Sequence, residues 1–442
     1  MLTWRAAALL GLGAVTIPLW AAPWLGVLAV TGAVLALSIV DFALAAPLRQ
    51  ITASRDGDRT VRLGETATVT VHLHNASTRT LHGEVRDSWV PSAGARNAAP
   101  GARPAYSTRV WIVAGASAAV VTTLTPTRRG DRPAARLSLR SFGPLGLAFR
   151  QWDGRPATPL WTLRVLPRFD SRRFLAEKTA RLRILDGTLV TRGRGQGTEF
   201  DTLREYVVGD DVRSIDWRAS ARRADVLVRT WRPERDRRVV CVLDTGRTSA
   251  VRIGDEPRLD AAIDGALLLA ALASRAGDQV DLLAVDTAVR AAVSGAGRQV
   301  LLTRLVNALA PLQPALVETD FEVVVGEVLR RERKRALVVL FTALEPGALG
   351  EGLLPVLPRL AARHKVIVAA VHDPVLVGLT SAPPARAEDV YAAAAAWRAL
   401  AERDRVRAAL TRHGVEVVDA PADVFASQLS DAYLRLKALG RL

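Results

Sequence analysis

The 442-residue sequence is poor in the residues that most often carry chemistry. Cys241 is the only cysteine, which excludes an intrachain disulfide and a cysteine-rich metal site. It lies in the apolar run VVCVLD and reads as a buried thiol. Lysine occurs only at Lys178, Lys334, Lys365 and Lys437, so the net charge of +16 is almost entirely arginine, spread along the chain without a basic tail or block. That distribution argues against a dedicated nucleic-acid binder and is compatible with a surface beside an anionic bilayer. No GK[ST] phosphate loop is present; RGRGQG at 192–197 has the glycines but neither the lysine nor a clear preceding strand. With nearly half its residues hydrophobic, the chain is also not a disordered one, and its length calls for two or three domains.

Residues 6–46 are almost uninterruptedly apolar, broken by Pro18 and by AAPW at 21–24. A spanning helix needs about 20 residues, so the run predicts a transmembrane helical hairpin over residues 1–48. Trp4, Trp20 and Trp24 sit at interfacial positions, while Arg5 before the first span and Arg49 and Arg55 after the second predict a multi-pass protein of the cell membrane with its bulk in the cytoplasm. A signal peptide cleaved near Ala22 is the competing reading; Pro23 and the second apolar run oppose it. Asp41 falls near the cytoplasmic end of the second span and is assigned no function.

Residues 49–168 alternate in short runs such as TVTVHLHN and ARLSLRSF between turn residues, the pattern of an immunoglobulin-like β-sandwich. His72 and His74 share one face of a strand, but no third ligand is evident, and a solvated face accounts for them. Residues 237–442 alternate buried-type strands with amphipathic helices and predict an α/β doubly wound domain, with Asp244 at the carboxyl end of its first strand, where such sheets bind ligands.

Between these domains, residues 169–236 contain EFDTLREYVVGDDVRSIDWRASAR at 199–222, in which acids and arginines alternate. The segment holds no histidine, cysteine or lysine to act as an obvious acid, base or nucleophile. Gly209 permits a tight turn, Asp210 or Asp211 can cap a short helix, and Ile215 and Trp217 serve as apolar anchors. Exposed ion pairs contribute only about 0–1 kcal/mol each, so positioning or recognition explains the density of charge better than stability does. The segment reads as a charged brace between the β unit and the sheet domain that also presents a partner-binding surface: Glu199, Arg204, Tyr206, Asp210, Asp211, Arg213, Asp216, Trp217 and Arg222. The alternative is a metal-dependent phosphoester hydrolase using the 199–222 carboxylates.

This segment, from GTEF onward, resembles the signature of the bacterial membrane proteins called domain of unknown function 58 (DUF58), and VLDTGRT at 242–248 resembles the metal-ion-dependent adhesion motif D-x-S-x-S of the von Willebrand factor A fold. The resemblance implies a membrane hairpin, a β domain and a von Willebrand A-like carboxyl-terminal domain. It implies a non-enzymatic interaction or assembly role in cell-envelope maturation, with a MoxR-type AAA+ ATPase and a transglutaminase-like membrane protein as partners. It further implies a Mg²⁺ site at Asp244, Thr248 and Thr319, in a degenerate form: Gly246 replaces the first serine and Ala343 the later acid, with Glu345 or Asp320 as possible substitutes.

Overall fold

The computed structural model describes residues 1–97, 107–152, 159–192, 199–208, 210–223, 225–232, 237–381, 383 and 385–441. The chain divides into two compact units, Met1–Leu166 and Pro167–Leu442.

The first unit opens with helix α1 (Trp4–Ala14), a 3-10 turn at Ile17–Leu19 and helix α2 (Pro23–Leu44). Pro18 lies in the turn and Pro23 at the start of α2, where a missing N–H costs nothing. Among the described residues one helix, α2, is long and apolar enough to cross a membrane, at about 33 Å against a hydrocarbon core of about 30 Å. The expected first span is corrected: α1 has 11 residues, about 16 Å, because the chain leaves the helical path before Pro18. The two helices still pack together, and a Cβ at Gly13 would overlap Val30.

Among the described residues ten strands follow: β1 (Ile51–Gly57), β2 (Thr60–Arg62), β3 (Ala67–Asn75), β4 (Leu81–Trp89), β5 (Ala95–Asn97), β6 (Thr108–Ile112), β7 (Ser117–Leu124), β8 (Gly130–Phe142), β9 (Phe149–Trp152) and β10 (Thr162–Leu166). They form one sheet ordered β1-β3-β7-β5 and another ordered β2-β10-β8-β4-β6, with β9 on β8. Alternation along β3 turns Val69, Val71 and Leu73 inward, and Val71 and Leu73 share a core with Leu81, Val85, Leu137 and Leu139 of the other sheet. The same alternation leaves His72 and His74 exposed, and no group of three potential metal ligands occurs among the described residues. Arg55 is not the interfacial charge the sequence implies: it is buried between the sheets, paired with Asp87, which also accepts from Trp89 Nε1 at 2.8 Å. Asp41, fully buried near the end of α2, accepts from the backbone amides of Leu145, Leu147 and Ala148 at 2.7, 2.7 and 2.8 Å, tying the apolar helix to the β8–β9 loop.

The second unit begins with helix α3 (Leu175–Arg192), followed by a hairpin of β11 (Glu199–Glu205) and β12 (Leu227–Arg232) that encloses helix α4 (Trp217–Arg223). Strand β13 (Arg238–Asp244) then leads through the short helix α5 (Arg247–Ala250) and the ladder β14 (Arg252–Ile253) with β15 (Glu256–Pro257) into helix α6 (Arg258–Arg275). The remaining elements are β16 (Gln279–Val285), β17 (Val289–Val293), α7 (Leu301–Leu309), α8 (Phe321–Arg331), β18 (Leu337–Phe341), α9 (Leu354–Ala361), β19 (Lys365–His372), α10 (Pro374–Ser381), α11 (Ala387–Arg412), β20 (Glu416–Pro421) and α12 (Ala422–Ala438). The sheet runs β17-β16-β13-β18-β19-β20, parallel except for the antiparallel edge strand β17. Apolar residues cover both faces, which is why β13 is buried at almost every position: α6, α7 and α12 close one core, and α8, α9 and α11 the other. Burial pushes the Cys241 thiol in β13 up to about 12, with Asp281 adding to the shift, so it stays protonated at neutral pH.

Candidate functional site: the carboxyl edge of the sheet and the charged hairpin

Strand order in the sheet reverses at β13, so the crevice beyond the carboxyl ends of β13 and β18 is the place where such folds put ligands. Asp244, the last residue of β13, stands there with only 2% of its surface exposed. One carboxylate oxygen accepts from the Gly246 amide at 2.8 Å and from the Thr319 hydroxyl. The other accepts from Thr248 Oγ1 at 3.1 Å and from Thr342 Oγ1 at 2.6 Å. Asp244, Thr248 and Thr319 thus converge as the sequence implies, and Thr342, immediately after β18, completes the cluster.

Gly246 is explained by space. A Cβ there would lie 2.2 Å from Thr319 Oγ1, so glycine is what lets the 315–319 loop close on Asp244. The loop is strapped down by backbone bonds from Ala315 N to Thr245 O at 2.7 Å and from Arg247 N to Val317 O at 2.8 Å. The two acids offered as substitutes are occupied elsewhere: Asp320 caps α8 by accepting from the Glu322 and Val323 amides, and Glu345 pairs with Arg258 at 3.1 Å. Ala343 is fully buried. The donors are hard oxygens, the right kind for Mg²⁺, but they supply one carboxylate whose oxygens are already taken by three hydroxyls and an amide.

A second acid that sequence reading passed over lies beside it. Asp286 follows β16 as Asp244 ends β13, and accepts from Thr245 Oγ1 at 3.1 Å and from Arg290 Nε at 2.8 Å. Burial pushes its carboxyl up, but the bonds from Arg290 and the Ala288 and Thr287 amides outweigh this and hold it below the usual range. The signal was present in the sequence, since QVDLLAVD and RRVVCVLD are both apolar runs ending in aspartate. A third cluster joins α11 to β20: Asp419 receives Arg403 at 2.6 Å, Arg407 at 2.8 Å and His372 Nδ1 at 3.0 Å. At the other end of the sheet a cavity of about 610 Å³ is lined by Arg238, Asp278, Asp281 and Glu332; there Arg238 pairs with Glu332 and Lys437 with Asp278.

The charged segment folds on itself. Asp210 pairs with Arg204 at 2.5 Å and accepts from the Val207 amide at 3.0 Å. Asp211 caps the 3-10 turn Val212–Ser214 through the Arg213 amide. Asp216 caps α4 through the Ala219 amide at 3.0 Å and pairs with Arg229 at 2.9 Å; these two contacts hold its carboxyl below the usual range. Tyr206 N bonds Val226 O at 2.8 Å, and Ser220 Oγ accepts from Leu227 N at 2.8 Å, locking α4 to β12. Asp210 and Asp216 therefore brace the hairpin itself through their ion pairs, at Arg204 and Arg229. Trp217 is corrected from an apolar anchor: it is 67% exposed, because Ser220 and not Trp217 takes the face of α4 turned to β12. Val208 (93%) and Val212 (63%) are exposed as well, as are Arg213, Arg218 and Arg222. Glu199 opens β11 with its side chain outside the described residues, as are Gly209 and residues 193–198.

Residues 202–417 match the model of the family described as "Protein of unknown function DUF58". The match begins within β11 and runs through the sheet as far as the first two residues of β20. Uncharacterized proteins of Mycobacterium bovis and of two Mycobacterium tuberculosis strains are 31% identical over 183 residues, covering 41% of this chain and 56% of each relative. The chain therefore spans about half the length of the curated relatives it matches. Among solved structures, the CARDB domain of a Pyrococcus furiosus protein aligns with 26% of this chain and 91% of its own at 15% identity and a TM-score of 0.19. A Vibrio harveyi exo-β-N-acetylglucosaminidase aligns with 86% of this chain and 75% of its own at 11% identity and a TM-score of 0.20. At these scores neither bears on the fold.

Proposed function

We propose that this chain is a membrane-tethered interaction protein whose β11–α4–β12 hairpin docks another protein. The observation that carries the reading is the division of labour inside the hairpin. Asp210, Asp211 and Asp216 are spent on caps and internal ion pairs, which leaves Trp217, Val208 and Val212 exposed beside Arg213, Arg218 and Arg222. Exposed aromatic and aliphatic groups rimmed by arginine are the composition of binding hot spots. The same commitment of the carboxylates supports docking over phosphoester hydrolysis, which needs acids free to hold a metal.

On this reading α2 anchors the chain in the cell membrane, with Arg5 and Arg49 retained on the cytoplasmic side together with the bulk of the protein. The partner class is a MoxR-type AAA+ ATPase acting in cell-envelope maturation, with a transglutaminase-like membrane protein as a further neighbour. The β unit is read as immunoglobulin-like and the sheet domain as von Willebrand A-like; a six-stranded order with one antiparallel edge and an aspartate at the switch point supports the latter. The Asp244 cluster serves as a hydrogen-bonded lock on the loops above the sheet. Isothermal titration with Mg²⁺ and Mn²⁺ is expected to give no heat at millimolar metal; one-site binding lost in Asp244→Ala would restore the cation.

The docking test is recovery of the ATPase on the full chain in detergent. Trp217→Ala and the pair Arg218→Glu with Arg222→Glu are each expected to cut recovery tenfold or more, on the order of 1.4 kcal/mol or above. Recovery equal to wild type from both would remove the hairpin from the interface.

A further inference from the structure

We infer that the first unit carries a collar for the phosphate headgroups of anionic phospholipids, built by Arg5, Arg79 and Arg150 around the carboxyl end of α2; the inference rests on the membrane-anchoring reading above. Three residues far apart in sequence meet there. Arg150 Nε donates to Phe42 O at 3.1 Å, with its guanidinium 4.7 Å from the centre of the Phe42 ring. Arg79 donates to Ala43 O, and Arg5 to Leu145 O at 3.3 Å. Cations at a helix carboxyl terminus are favoured by its dipole and by its unbonded carbonyls, so the geometry has a local cause.

A guanidinium has five N–H donors, and each of these three is held by one main-chain carbonyl. Among the described residues none of the three pairs with a carboxylate. The acid at this end of the helix, Asp41, does not neutralise them, because it is fully buried and enclosed by the amides of Leu145, Leu147 and Ala148. A Cβ at Gly143 would lie 2.2 Å from Asp41 Oδ1, so the loop is closed tightly over the acid. The result is an electropositive ring whose own counter-charge is sequestered, with orientation fixed by backbone bonds on one side and donors left over on the other.

The surroundings select a lipid over a soluble anion. Leu145 is 50% exposed on the same loop, and Leu2 and Trp4 are exposed where the chain enters α1. Thr3 N bonds Leu147 O at 2.9 Å, which places that entry beside the collar. Exposed leucine and tryptophan interleaved with arginine at the end of an apolar helix match the level of headgroups, and a phosphodiester takes two parallel N–H bonds from a guanidinium.

The test measures association of spin-labelled phosphatidylglycerol and phosphatidylcholine with the full chain reconstituted in phosphatidylcholine vesicles. Wild type is expected to prefer phosphatidylglycerol about fivefold or more, the preference falling with salt, and Arg5→Gln, Arg79→Gln and Arg150→Gln together are expected to bring it to about one. If that triple variant does not fold, Arg79→Gln alone should lower the preference and Arg79→Lys should retain it. Equal association of both lipids with wild type overturns the collar while leaving the anchor intact, whereas immobilisation of neither lipid overturns the anchor itself. Displacement of phosphatidylglycerol by millimolar inorganic phosphate would overturn the assignment to lipid.

Discussion

Asp41 in the first unit and Asp244 in the second are both buried aspartates at the end of an apolar element, satisfied by opposite means. Asp41 receives three backbone amides from one loop, and Asp244 receives one amide and three threonine hydroxyls from three different segments. Amides point where the main chain points and only donate. Hydroxyls rotate, and can donate or accept. The first arrangement is a fixed tie between helix and loop, while the second can be reorganised without moving the backbone.

The largest expected effect comes from Asp41→Ala, which orphans three amides at about 1–3 kcal/mol each. The loss should appear as about 3–9 kcal/mol of stability in the first unit, read by thermal unfolding and by new proteolysis within 143–148. Asp41→Asn should be nearly as damaging, because its NH₂ would face donors that cannot turn. Asp244→Ala should cost about 3 kcal/mol in denaturant unfolding of the second unit. Asp244→Asn should cost about 1 kcal/mol, since Thr248 or Thr342 can reverse to accept. Equal losses for Asn at 41 and 244 would break the distinction.

Asp264 in α6 is the under-served counterpart: among the described residues its carboxylate accepts from the Ser171 amide at 3.3 Å and hydroxyl at 3.0 Å alone. Burial outweighs them and raises its carboxyl to about 6. A raised carboxyl pKa means the folded state binds the proton more tightly, so stability is full below about pH 4 and is lost as pH rises to about 6. Asp264→Asn should flatten that decline and stabilise the second unit above pH 6 by up to about 3 kcal/mol, checked by urea midpoints at pH 4 and pH 8. A local effect is expected from Gly246→Ala, about 1–2 kcal/mol, because its Cβ meets the Thr319 hydroxyl; Thr319→Ala should recover part of it in a double-mutant cycle.

The apolar runs that became β13, β16, β18 and β19 were legible because strands buried on both faces read as continuous hydrophobic sequence. The edge strand β17 was not, since VRAAV is short and its antiparallel pairing depends on β16 alone. Asp244, Thr248 and Thr319 could be grouped only through the resemblance to the adhesion motif, and Thr342 and Asp286 join them only through strand order. Acids at 210, 211 and 216 were visible as caps or pairs without showing which cap went with which amide. Asp41 was assigned no role because its donors lie more than a hundred residues away.

Composition and periodicity by themselves determined that this chain carries an apolar helix, an alternating β unit and a doubly wound sheet, because burial of apolar surface dominates those choices and is written locally. Only the tertiary structure decided that the first apolar helix stops short, that Trp217 faces outward, and that Asp41 and Asp244 are satisfied by fixed and by rotatable donors respectively. Hydrogen bonds are directional and join residues distant in the chain, so their partners exist only once the backbone has been placed.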